Sequence, residues 1–573
     1  MKILNRKSDR LIEELLITNG TCPLLAKLLS KRKIKSIDDM DMSLNKLLSP
    51  WKMMNINKAS RLVGESVLRK KKILVVADFD ADGATGCAVA ILGLKKFNLD
   101  VEFIVPDRFI FGYGLTSSLV LNTVENLKKN KKKLPDLLIT VDNGISSHDG
   151  VKVAKKLGIE VLITDHHLPG TELPDAMIVN PQQKDCNFES KNIAGVGVIF
   201  YLLIATRTWL RDRGYFNNSQ EPKLDDLLSL VALGTIADLV PLDTNNRRII
   251  FQGLQRIHDN NIPEGLRALI KISKLSPKTV TCSDLGFKIA PKLNAAGRLS
   301  DMSLGIHCLT EKNKDMAMGY AYQLENLNRK RRQMETQSRK EGINLLIKNE
   351  SLNQGLGTVI FKKNWHQGIV GLIASKVKDL ISKPTIVFAY QNENCNLLKG
   401  SGRSIQGVHL RDVLERIHSK NPKLINTFGG HAMAAGITIQ ENKLDEFKRA
   451  FNESLEEIVD KSVFSPDLIT DGKIDLKRIS LSSVLEIESS IWGQAFDTPL
   501  FWDEFIIHEQ KVLKDNHLKL VISQTSNIKA KYSGIWFDAP KFNCTEAIFA
   551  YELMSNKWKE KKSIQLLIRK LIN

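Results

Sequence analysis

The chain has 573 residues, room for three or four domains at about 150 residues each. Its 43% hydrophobic and 26% charged content is that of an ordinary globular protein, and 35 Gly with 17 Pro exclude a collagen-like or Gly/Pro-rich disordered chain. The formal net charge of +19 either favours a polyanionic partner, nucleic acid or an anionic membrane, or reflects a Lys-rich surface.

Residues 1–60 read as short amphipathic helices carrying a basic cluster, Lys31-Arg32-Lys33. The N-terminus has no secretory apolar core, so a cytoplasmic location is expected. From Lys71, short apolar runs (ILVVA 73–77, VEFIV 101–105, LLITV 137–141, VLIT 161–164, AMIVN 176–180) alternate with helix-length segments. That pattern predicts βαβ units and a parallel sheet covered on both faces. The most apolar charge-free stretch, 192–206, has 15 residues; a spanning helix needs roughly 18–20, so it is expected as a buried helix and no membrane partner is expected. Residues 311–350 lack Pro and hold two glycines, Gly319 and Gly342, which predicts one long helix or two stacked ones between two lobes. The run Arg329-Lys330-Arg331-Arg332 within it reads as a solvated helix face before a binding site.

A second α/β segment follows, with strands near 357–361 and 385–390 and helices near 368–380, 409–417 and 441–458. From 465 the texture is strand-like (FIIH, KLVIS, SGIWF, AIFAYEL, SIQLLI), which predicts a small β-barrel. Acidic residues prevail over 466–510 and basic ones over 511–573. Seven scattered cysteines with no C-x-x-C pair read as single buried thiols.

The sharpest local signal is Asp78-Phe79-Asp80-Ala81-Asp82-Gly83, three alternating carboxylates between an apolar strand and a helix. Ligands of open α/β sheets sit beyond the carboxyl ends of the strands. Three carboxylates so close repel one another unless a cation neutralises them. An EF-hand calcium loop begins alike but needs Glu at its twelfth position, which here is Val89. The next strand end carries Asp142-Asn143-Gly144 and the one after it Asp165-His166-His167. Asp238 lies in the apolar run 233–240, where an unpartnered carboxylate would be costly. Oxygen ligands with one or two imidazoles suit Mn²⁺ or Mg²⁺, and two such ions a few Å apart serve phosphoester hydrolysis.

With GTIADLVPL (234–242), PKLNAAGRLSD (291–301), WHQGIVGLIASKV (365–377), GSGRS (400–404) and GGHAMAAG (429–436), the order of motifs resembles the DHH phosphoesterase superfamily. Over essentially the whole chain it resembles that superfamily's RecJ family of single-stranded-DNA exonucleases. The resemblance implies an α/β fold: a parallel-sheet DHH lobe and a DHHA1-type lobe joined by the long helix, then a C-terminal OB-like barrel. The corresponding segments are 1–60, 61–310, 311–350, 351–464 and 465–573. It further implies a processive 5′-to-3′ exonuclease that uses two Mn²⁺ or Mg²⁺ ions and releases 5′-mononucleotides in DNA repair and recombination. Asp80, Asp82, Asp142, His166 and Asp238 then hold the metals, with Asp142 as bridge and Asp78 as a weaker ligand. His167 sits against the scissile phosphate, Asp165 orients a histidine, and the attacking hydroxide belongs to the metal centre rather than to a side chain. A single-strand-binding protein and a helicase as partners, and a monomeric state, are expected with it.

The same resemblance implies a 5′-phosphate pocket from Arg403, Ser401 and Arg108, with further substrate contacts from Arg298, Gly430 and His431. A guanidinium fork suits phosphate, and Arg403 is expected in a Gly-flanked loop open to close approach. The alternative for Arg298 and Arg403 is a structural salt bridge between lobes; for Ser401 it is likewise a structural role. Tyr113 and Trp365 either stack bases or are buried. A channel between metals and Arg403 that admits one strand would explain strand selectivity, the basic barrel adding affinity. One departure is 492–499 (WGQAFDTP), where the family often has Gly-Asn-Pro or Pro-Glu-Pro; the conformation of that loop stays open. Rival readings are a DHH phosphodiesterase acting on short oligonucleotides or cyclic dinucleotides, a manganese pyrophosphatase, and a non-catalytic single-strand-binding protein on a degenerate DHH fold. The filled ligand positions argue against the last, and the extra N- and C-terminal segments argue for a longer polymer.

Overall fold

The computed structural model describes all residues except 1, 33, 108–109, 218–219, 349–354, 392–395, 460–466, 514–516, 538, 540–541, 559–560 and 573. Lys33, Arg108 and Cys395 therefore lie outside the described residues. The chain divides into two compact units, one formed by Met1–Leu4 with Asn326–Leu468 and the other by Asn5–Glu325 with Ile469–Asn573.

The larger unit opens on helices Arg10–Thr18, Pro23–Ser30 and Ile56–Leu68, but a short strand, β1 (Ile3–Asn5), precedes them where only helices are expected. Next come β2 (Ile73–Ala77), β3 (Glu102–Ile104), β4 (Leu137–Val141), β5 (Glu160–Thr164) and β6 (Met177–Val179), in the order β3-β2-β4-β5-β6. Every pairing is parallel, as the continuous apolar runs predict. All five residues of β2 and of β4 are buried. One face packs Val76, Leu138 and Ile163 against Leu119, Val120 and Val151 of the helices Ser117–Lys129 and His148–Lys156. The other receives the helix Ala81–Lys96, where Gly86 comes so near that a β-carbon would lie 2.6 Å from Val141 Cγ1. The apolar stretch 192–206 forms most of the buried helix Gly195–Arg211, and no described helix is long and apolar enough to cross a membrane.

The smaller unit contains five strands, β7 (Thr358–Phe361), β8 (Thr385–Tyr390), β9 (Leu397–Arg403), β10 (Thr427–Gly430) and β11 (Ala434–Gln440), ordered β10-β11-β9-β8-β7. Only β7 with β8 is parallel. Sequence reading expects two of these strands and places 400–404 in a loop; the structure corrects this. Glycine weakens the strand signal, yet Gly400 and Gly402 are required by packing. A β-carbon would lie 2.5 Å from Phe388 Cε1 at Gly400, and 2.6 Å from Leu410 Cδ2 at Gly402. Residues 311–350 give a single helix, Lys314–Lys348, beginning in one unit and ending in the other. Trp365 is buried, with its Nε1 donating to Glu341 Oε2 at 3.0 Å, so the base-stacking alternative does not hold for it.

The strand β12 (Leu468–Thr470) pairs with β1, and after the helix Leu481–Ser489 the chain closes a five-stranded barrel. Its strands are β13 (Phe501–Val512), β14 (Leu518–Gln524), β15 (Tyr532–Trp536), β16 (Glu546–Trp558) and β17 (Lys561–Leu571), closed in the order β13-β14-β15-β17-β16. Arg32, part of the basic cluster in the sequence, is buried. Its guanidinium forms a fork on Asp471 at 2.8 and 3.1 Å and lies 4.9 Å from the centroid of Trp492. Trp492 stacks on Phe496, and Arg247 lies 4.5 Å from the Phe496 ring. The 492–499 departure is thus a compact turn, with Ala495 at φ +59, clamped by two arginines. Cys87, Cys186, Cys282 and Cys308 are buried as expected, whereas Cys544 is exposed and Cys22 partly so.

Candidate metal centre and phosphate-binding face

The carboxyl ends of β2, β4 and β5 converge. Asp78 N–H donates to Val141 O, Asp142 N–H to Thr164 O and Asp165 N–H to Val179 O, so the ladder continues one residue past each strand and sets the three acidic ends side by side. Asp80 caps the helix Ala81–Lys96, its Oδ1 accepting from Asp82 N at 2.9 Å and Gly83 N at 3.1 Å. Asp82, in the first turn, accepts from Gly195 N at 2.6 Å and Val196 N at 2.9 Å at the start of the next helix. Asp238 terminates the helix Leu228–Ala237.

His166 stands at the centre. Its Nε2 lies 3.1 Å from Asp142 Oδ1, 3.5 Å from Asp238 Oδ2 and 3.9 Å from Asp82 Oδ2. Three ligand groups overlap, each with its atoms within 4.8 Å: Asp142-His166-His167, Asp82-His166-Asp238 and Asp78-Asp80-Asp142. Asp142 belongs to two of them, as does His166. Burial first, then repulsion from Asp80, pushes the Asp82 carboxyl up to about 7. Burial and the neighbouring carboxylates also raise Asp142 and Asp238 well above the ordinary range. Among the described residues, buried Asp142 Oδ1 has no aligned hydrogen-bond donor, its near neighbour being His166 Nε2. Carboxylates held together against such a cost, around an imidazole, fit hard divalent cations.

His167 is set differently. Its Nδ1 lies 2.7 Å from Asp165 Oδ1, which also accepts from the His166 and His167 amides, while Asp165 Oδ2 takes Ile145 N. Burial opposes charge on His167, but the Asp165 hydrogen bond and nearby carboxylates outweigh it and lift the imidazole to about 9. Tyr113 is half exposed, with its hydroxyl 3.3 Å from His167 Nδ1 and its ring edge-on to Phe79.

Several supports carry no strong sequence signal. Asn143 Nδ2 donates to Val76 O at 3.0 Å and Val141 O at 2.9 Å, tying β2 to β4 below the acids. Asn294 Oδ1 accepts from Ala81 N at 2.8 Å. Gly297 lets its helix press on the acidic loop, since a β-carbon there would lie 1.8 Å from Phe79 O; the half-buried Arg298 follows it. Gly195 leaves room for Asp142, whose Oδ1 would be 2.6 Å from a β-carbon at that position.

In the smaller unit, strand alternation puts Ser401 and Arg403 on one face of β9, and Arg403 Nη1 donates to Ser401 Oγ at 2.9 Å. That face meets the amino end of the helix Val370–Ile381. A β-carbon on Gly371 would stand 2.9 Å from both Arg403 Nη2 and Ser401 Oγ. A guanidinium beside a helix amino terminus suits a phosphate. Gly430, at φ +142, and His431 begin the tight connection from β10 to β11, closed by His431 N–H on Ala434 O at 2.8 Å.

Family models match in three places: the DHH family N-terminal domain over residues 72–235, the DHHA1 domain over 353–457 and the RecJ OB domain over 470–570. Among curated relatives, the single-stranded-DNA-specific exonuclease RecJ of Salmonella typhimurium is 41% identical over 95% of each chain. Those of Haemophilus influenzae and Escherichia coli are 40% and 39% identical over the same shares. The fold matches a crystal structure of Thermus thermophilus RecJ in complex with Mn²⁺ at a TM-score of 0.81 and 24% identity, covering 100% of this chain and 79% of that one. A structure of exonuclease RecJ bound to manganese matches at 0.59 and 28% identity, covering 76% of this chain and 100% of the other. On relatives this similar along nearly the whole length, the chain belongs to the RecJ family of single-stranded-DNA-specific exonucleases.

Proposed function

We propose that the protein is a metal-dependent nuclease that degrades single-stranded DNA from its 5′ end, releasing 5′-mononucleotides. The observation that carries the reading is the set of overlapping ligand groups around Asp142 and His166. Asp80, Asp82, Asp142, His166 and Asp238 would hold two Mn²⁺ or Mg²⁺ ions, with Asp78 as a weaker ligand. Ions bound there supply an activated water and stabilise the leaving oxygen of a phosphodiester.

The remaining chemistry belongs to side chains. Asp165 fixes the His167 ring through Nδ1, and Nε2, 3.4 Å from the Tyr113 hydroxyl, would turn to an oxygen of the scissile phosphate. Arg298, at the end of the helix that braces the acidic loop, contacts the same strand. Arg403, Ser401 and the amino end of Val370–Ile381, with Gly430 and His431 beside them, bind the terminal 5′-phosphate and so set polarity.

The test is degradation of a long single strand labelled at either end, its duplex and a dinucleotide, with Mn²⁺ or Mg²⁺, by wild type and Asp142→Ala. Mononucleotides from the 5′ end of the single strand, absent with the variant, are expected. Release from the 3′ end would overturn the polarity. Cleavage of the dinucleotide with the long strand spared would replace the reading with a short-oligonucleotide phosphodiesterase.

A further inference from the structure

Two apolar side chains stand in solvent, one directly after a residue of the metal centre and one on a turn packed against the same helix, each on uncommon backbone. Leu239 directly follows Asp238, is 68% exposed and has φ +58. Left-handed backbone is costly for a residue with a β-carbon and persists where its surroundings impose it. Phe287 is 76% exposed and sits at the middle of a π-helical turn, Leu285–Ile289. Such turns are rare and concentrate at functional sites.

The two positions lie on elements that pack together. The π-helical turn packs on the end of the helix Leu228–Ala237, since a β-carbon on Gly286 would stand 3.2 Å from Ile236 Cγ2, two residues before Asp238. It leads without a break into the helix Ala290–Leu299, whose Asn294 and Gly297 hold the Asp78–Asp82 loop. The neighbouring polar residue Lys288 is engaged with Asp284 at 2.7 Å, so the turn has its own surface ion pair, while Phe287 remains 76% exposed. An exposed Phe and Leu contribute to stability only when something flat and apolar covers them. A single-stranded polynucleotide offers that surface in its unstacked bases, whereas a duplex keeps its base faces stacked inside.

We propose that Leu239 and Phe287 form an apolar shelf that takes the face of one nucleobase of the strand lying at the metal centre, making base exposure part of strand selection. The proposal rests on the strand-cleaving reading given above. It adds a contact to the base where that reading uses only phosphates.

The test uses the full chain without divalent metal, so that the strand survives. A 5′-phosphorylated single strand carries 2-aminopurine at one position at a time, and a parallel set carries an abasic residue there. Wild type is expected to change the 2-aminopurine emission at one or two adjacent positions. Phe287→Ala should abolish that change and weaken binding of the intact strand about tenfold. Leu239→Gly, which relieves the φ +58 backbone, should melt no lower than wild type and still weaken binding in the same direction. Strands abasic at the responsive position should bind wild type and both variants alike. Equal affinity of wild type and variants for the intact strand would overturn the shelf. So would equal losses on intact and abasic strands, which would mean a general structural defect. A wild type that neither binds single strands nor cuts them with Mn²⁺ would remove the strand-cleaving reading itself, a result distinct from either.

Discussion

Asp142 shows how much one residue can carry. It takes a left-handed backbone at φ +63, stands against the amino end of the helix Gly195–Arg211, and shares its carboxylate between two ligand groups. Replacing it with Asn keeps the shape and removes the charge. Asp142→Asn should lose at least about a thousandfold in strand degradation, since a metal centre supplies several kcal/mol of transition-state stabilisation. The same change should raise the melting temperature of the metal-free protein, because it relieves repulsion among buried carboxylates; a scan in chelator checks this. Gly371 is the counterpart in the smaller unit. Gly371→Ala puts a methyl group 2.9 Å from Arg403 Nη2 and Ser401 Oγ. It should raise KM about tenfold for 5′-phosphorylated strands, with less effect on 5′-hydroxyl strands. Which residues were legible follows from chemistry. Asp80, Asp142, His166 and His167 announce themselves at strand ends, whereas Asn143 and Asn294 act through backbone partners that sit far away in the chain.

Elements repeat that contrast. β2 and β4 were readable to the residue because full burial on both faces writes an unbroken apolar run. β9 was not, because its glycines are selected by close packing across the sheet rather than by strand preference. β1 was missed since three residues paired with a partner more than 460 positions away leave no local periodicity. The buried Arg32–Asp471 fork was likewise invisible in a basic run that resembles any solvated surface. Arg32→Met should cost about 1.5–3 kcal/mol in urea unfolding, because it removes the charged hydrogen bonds of the fork while Asp471 keeps Arg6 Nη1 at 3.5 Å and the Leu500 amide at 3.0 Å.

At the level of the whole molecule, a net charge of +19 makes strand binding an ionic-strength phenomenon. The logarithm of the binding constant should fall linearly with the logarithm of salt, by about 0.7 per phosphate neutralised on a single strand. A flat profile would mean that the excess lysines only solvate the surface. The larger unit is also discontinuous: its first part ends at Glu325 and its second begins at Ile469. Arg32 meets Asp471 across 439 positions. During synthesis at about 5–20 residues per second, the apolar face of Pro23–Ser30 therefore waits roughly 20–90 seconds for the segment that covers it. A nascent chain halted before Asp471 presents Leu25, Leu28 and Leu29 together with an unneutralised Arg32. Chains truncated within the smaller unit should therefore aggregate where the full chain does not, which sedimentation of in-vitro translation products checks.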